Sequence, residues 1–167
     1  MTALIILASA VVAFLFFLFF QVWRRYFRPA EVAAAQLIPV DLEAFENLTD
    51  PEEVRFLRNH LPPQQFRAIQ RTRIHAAKVY VAALSENAGV LVSLGQSARS
   101  QPDPEVAAAG VDIVQRAIKL KVWCLFSLLQ LNAALLFPAR MAPTNGITHR
   151  YLLVTYMAAN LGAKSAA

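Results

Sequence analysis

From Asp103 to Phe137 the chain reads DPEVAAAGVDIVQRAIKLKVWCLFSLLQLNAALLF. Asp103-Pro104-Glu105 is a helix start. The first acid can accept from the free N–H groups of the opening turn. Proline stands where no N–H is needed, and a second acid complements the positive end of the helix. Behind it Val106, Gly110, Ile113, Ala117, Leu120, Cys124, Leu128, Leu131 and Leu135 follow at spacings of three and four. Such spacing keeps side chains on one face of a helix. Pro138 ends the run.

A second seam lies upstream. Phe66, Ile69, Arg73, Ala76, Tyr80, Ala83, Asn87, Val90 and Leu94 also alternate threes and fours, from Pro63 onward. A period near 3.5 is coiled-coil spacing. The two seams are joined by a nine-residue polar link, Gly95 to Asp103, so residues 63–137 are expected to form a long antiparallel helical hairpin. Tyr80 then falls near the middle of the contact with the second helix. Small residues on both seams (Ala76, Ala83, Gly110, Ala117) allow close approach of the axes. Arg73 and Asn87 are the polar interruptions. Each either reaches out of the packing or forms a polar layer that sets register or meets a partner. Any carboxylate for Arg73 is expected from the stretch Asp41 to Glu53.

Val122 to Phe137 has no charged residue. Sixteen residues are short for a span, so a core or membrane-surface helix is preferred to a second membrane crossing. A helix apolar on nearly every side still needs cover on every side. Leu128, Leu131 and Leu135 are therefore expected to meet lipid or another subunit as well as the core, with Phe126, Leu129 and Leu136 pointing elsewhere.

The flanks are also helical in pattern, and strand signals are nearly absent. Residues 29–62 form an acidic linker with short helices. Glu31 to Leu37 fits one turn or two before Pro39. Asp41 caps a helix carrying Leu42, Phe45 and Leu48. Asp50-Pro51-Glu52-Glu53 opens another, which ends at Pro62-Pro63. Residues 138–167 give a turn and a last helix from about Thr148 to Leu161, with Gly162 as its stop. The fold class is all-α, a helical bundle centred on the hairpin.

The N-terminus differs in kind. Ala3 to Trp23 contains no charge, and about 20 apolar residues cross a bilayer as a helix. Trp23 and Tyr26 sit where interfacial aromatics belong, and Arg24, Arg25 and Arg28 follow them. A basic cluster on one side only places that side in the cytoplasm and the N-terminus outside. Residues 1–28 thus read as an uncleaved anchor with a basic stop, rather than a signal peptide, because no base precedes the apolar stretch.

The net charge of +5 is segregated. Seven acids and no base lie between Glu31 and Glu53, then six bases and no acid between Arg55 and Lys78. From Ile113 to the end there are six more bases and no acid. The acidic segment is expected to fold partly against the basic helix, leaving surplus bases for anionic headgroups. Nucleic acid is not expected, since the bases lack the context of a common binding module. His60, His75 and His149 are scattered, the five glycines are isolated, and no base is placed predictably beside Cys124. No catalytic, cofactor or metal set is therefore assigned. The expected function is a non-catalytic accessory, scaffold or assembly subunit of a membrane complex. The rivals are a membrane-surface module for anionic lipid and an enzyme with an unrecognised site.

Overall fold

The computed structural model describes residues 37–136 and 146–165. The anchor residues Trp23, Arg24, Arg25, Tyr26 and Arg28 lie outside that range, as do Glu31 to Gln36 and the turn after Phe137. Among the described residues the protein is all-helical, with no strand. Five helices follow in order: α1 Leu42–Thr49, α2 Pro51–His60, α3 Pro63–Arg99, α4 Pro104–Leu136 and α5 Gly146–Ser165.

The helix starts are set locally. Asp41 accepts from the Ala44 N–H at 2.9 Å, Asp50 from Glu52 at 2.9 Å and Asp103 from Glu105 at 2.9 Å. Each satisfies a donor that an uncapped helix end would leave open.

α3 and α4 form the expected hairpin, and α5 packs against both. The core runs in two stretches along this trio. One joins Ile74, Val81 and Leu84 of α3 to Leu120, Cys124 and Leu131 of α4 and to Ile147 of α5. The other joins Leu91 and Ala98 to Val106, Ile113 and Ala117, with Val154 and Leu161 of α5. Burial of a Leu or Ile contributes about 1.5–3 kcal/mol, so these rows dominate the packing. α1 and α2 lie against α3.

The α4 seam is the one read from the sequence, from Val106 to Leu131. The α3 seam is displaced by one residue. Gln70, Ile74, Ala77, Val81, Leu84, Ala88, Leu91, Gly95 and Ala98 are buried, whereas Ile69 and Leu94 are exposed. The cause is the contact of Gly95 with Gly110. A Cβ built on Gly95 would stand 2.8 Å from the Gly110 carbonyl oxygen, and one on Gly110 would stand 2.7 Å from that of Gly95. Only paired glycines allow that approach, and it turns the Gly95 face of α3 inward. It also keeps Gly95 inside the helix, so the link shrinks to Ser100–Asp103.

Three further expectations change. Tyr80 meets α1, its ring tilted against Phe45 at a centroid distance of 5.9 Å, because the displaced seam carries it off the α3–α4 axis. Leu131 is 1% exposed and wholly committed to the core, while Leu128 and Leu135 are partly buried against it. α5 begins at Gly146 and runs through Gly162 to Ser165.

Candidate functional site

Asn87 is fully buried on α3. Its Oδ1 accepts from the Ile38 N–H at 2.7 Å. Its Nδ2 donates to the Ile38 carbonyl at 2.8 Å and to the Tyr151 hydroxyl at 2.9 Å. One side-chain amide thus pairs with both polar groups of a backbone residue, as a neighbouring strand would, and with α5. Both Nδ2 hydrogens and the carbonyl are used. Burial pushes the Tyr151 phenol up in pKa, against the lowering effect of its bond to Asn87. The consequence is mechanical. The segment that enters the bundle at Leu37 is tied to α3 and α5 through a single residue.

Arg73 performs a related task for α1 and α2. α1 has no base in its last turn, so its final carbonyls have no cation of their own. Arg73 donates to the carbonyls of Asn47 at 2.9 Å and Leu48 at 3.1 Å, and to the Glu53 carboxylate at 2.7 Å. A cation at a helix C-terminus also complements the dipole. The carboxylate comes from the acidic stretch, as the charge segregation implied. The hydrogen bond from Arg73 holds the Glu53 carboxyl below the usual carboxylate range. Arg73 and Asn87 are therefore joints between elements, 14 residues apart on one helix.

The third feature is the outer side of α4. Trp123, Phe126 and Leu129 are 46%, 56% and 52% exposed. Ile118 is also exposed and Val122 half-buried. The flank towards α5 carries Asp112, Arg116 and Leu120, which share a cleft with Arg150 and Val154. At 100° per residue Ile118 and Leu129 fall on the opposite flank. There they are covered by no described helix. By length and composition α4 qualifies as a membrane-crossing helix, and only 39% of its most apolar window is buried.

Lys121 was not singled out by the sequence. It is 6% exposed and lies beside Gly89, where a Cβ would stand 3.3 Å from Nζ. A glycine opposite a lysine on the facing helix was the available signal, but it required knowing the register. Cys124 is buried as a small apolar residue. Among the described residues no group of three metal-ligating side chains converges.

No family model, curated protein or solved structure matches this chain.

Proposed function

We propose that the chain is a membrane-anchored, non-catalytic helical subunit that holds other membrane-protein chains in an assembly. In this reading Ala3 to Trp23 is the span, with Trp23 and Tyr26 at the interface. Arg24, Arg25 and Arg28 mark the cytoplasmic side, and the N-terminus is outside. The carrying observation is the uncovered apolar flank of α4, with Ile118, Phe126 and Leu129 exposed. Contiguous large apolar residues of this kind mark interaction surfaces. The Asn87 clamp on Ile38 supports it, because it fastens the bundle ten residues after Arg28. A platform must be held firmly to whatever anchors it.

The test is purification of the full chain from its native membrane in a mild detergent, with masses read by native mass spectrometry. We expect a stoichiometric complex containing at least one other membrane-protein chain. The double substitution Phe126→Gln and Leu129→Gln should release that chain while leaving the helical circular dichroism unchanged. A lone chain, or a complex indifferent to both substitutions, would refute the reading.

A further inference from the structure

The groove between α4 and α5 has a chemistry distinct from the apolar flank. It is a cleft of about 190 Å³ whose lining includes Asp112, Arg116, Lys119 and Arg150. A water takes about 30 Å³ in the liquid, so the cleft has room for a small polyatomic anion and some hydration. Three bases face one acid. That acid is engaged: Arg116 Nε lies 3.0 Å from both Asp112 oxygens. Asp112 is the one carboxylate that lines the cleft, and no acid follows it in the chain, so α5 supplies no competing carboxylate. Arg150 is preplaced, its guanidinium carbon 4.7 Å from the centre of the Trp123 ring. Stacking on an indole leaves the edge of the guanidinium, with its N–H donors, free for an in-plane acceptor.

We propose that this cleft binds a phosphate group, with Lys119 and Arg150 as its principal ligands and Arg116 as a third cation. Arginine and lysine together suit a tetrahedral dianion: the fork supplies directed donors and the ammonium a mobile point charge. The rim favours a phosphate borne on a lipid. Trp123 lies four residues beyond Lys119 and Phe126 seven, so the same ridge of α4 passes from cation to large exposed ring within two turns. On the α5 side the exposed Leu153 lines the same cleft as Arg150, three residues along the helix. A headgroup in the cleft would therefore lay its glyceryl and acyl portion along apolar side chains. A soluble phosphate would use only the floor. The phosphate ligands stand independently of the assembly role, since the cleft lining includes none of Ile118, Phe126 and Leu129.

The experiment is calorimetric titration of the full chain in a neutral maltoside detergent at fixed ionic strength. The probes are dihexanoyl phosphatidic acid, inorganic phosphate and, as zwitterionic control, dihexanoyl phosphatidylcholine. Saturable binding of phosphatidic acid is expected, with little from the control. Lys119→Gln and Arg150→Gln should each weaken it about tenfold, in line with the loss of one charge-assisted bond. Asp112→Asn should tighten it several-fold by removing the one opposing charge. Arg55→Gln, an exposed base on α2, should leave it unchanged. Inorganic phosphate that competes with the lipid would identify a soluble ligand of the same site, and its failure to compete would identify the headgroup. Equal weakening by Arg55→Gln and Lys119→Gln would reduce the effect to general charge attraction and overturn the proposal. So would the failure of both phosphate probes to bind. Both ligand substitutions are at exposed positions, and unchanged circular dichroism would exclude unfolding as the cause.

Discussion

α3 and α4 are of similar length and both bury branched side chains, but they differ in what stands beside them. α3 sets next to Ile74, Val81, Leu84 and Leu91 a row of buried small and polar residues: Gln70, Ser85, Asn87, Gly89, Ser93 and Gly95. It is touched by α1, α2, α4 and α5, and by the backbone of Ile38. α4 buries branched side chains, Ile113, Leu120, Leu125 and Leu131, and exposes others as large. The difference shows which helix organises the molecule. Small and polar residues serve where several elements must approach and be fixed in register. α3 is the hub within the chain, and α4 is the side that leaves Trp123, Phe126 and Leu129 exposed.

The largest test of this contrast uses two glycines, one from each helix. Gly110→Ala places a methyl 2.7 Å from backbone atoms of Arg99 and Gly95, which cannot yield without parting the helices. We expect a loss of about 3 kcal/mol, the upper part of the range for overpacking. Gly89→Ala meets only the flexible end of Lys121. It should change stability by less than about 1 kcal/mol, since alanine also favours the helix. Thermal unfolding of the full chain in mild detergent, followed by circular dichroism, measures both. Similar losses at the two sites would mean that the axes are not held together at Gly95 and Gly110.

Asn87→Ala tests whether α3 is the hub for the entering segment. It leaves the polar groups of Ile38 and the Tyr151 hydroxyl without their partner. The expected cost is about 2 kcal/mol, from unsatisfied part-buried groups. Proteolysis should also open the chain near Ile38 before the hairpin is cut. Unchanged resistance at that point would detach the clamp from the role given to it.

The smallest effect belongs to Glu53. Its folded pKa is lowered by Arg73, so its contribution is complete above the unfolded value of about 4.3 and is lost as pH falls through the folded one. The carboxylate is 45% exposed, and screening keeps the contribution below about 1 kcal/mol. Glu53→Gln should therefore cost a few tenths of a kcal/mol at pH 7, and the difference from wild type should shrink as the pH falls below about 4.3. A difference that does not shrink on acidification would mean that Glu53 acts through packing rather than charge.

The sequence by itself determined the helices and one of the two long faces. Asp41, Asp50 and Asp103 cap within their own first turns, so their action is local and legible. The α4 face could be read because Glu105, Asp112, Arg116 and Lys119 occupy its first half and leave the row from Val106 to Leu120 free of charge. Arg73 could be assigned to the acidic stretch because Glu105 and Asp112 fall off the face of α4 that meets α3, although the choice of Glu53 and of two α1 carbonyls depended on how α1 packs. The α3 face was decided only by tertiary structure. Two registers of threes and fours run side by side along it, one through Ile69 and Leu94, the other through Ile74 and Gly95. Their apolar content is too similar for periodicity to choose. The choice came from Gly110, fifteen residues further on, whose missing side chain lets the backbones meet. Gly95 looked like a helix breaker for the same reason: its value lies in what it lets approach, and that neighbour is on another helix. The pairing of Asn87 with the Ile38 backbone, 49 residues away, and the meeting of Lys119 with Arg150 across a groove are likewise contacts between elements. They arise from how helices pack, which no local pattern encodes.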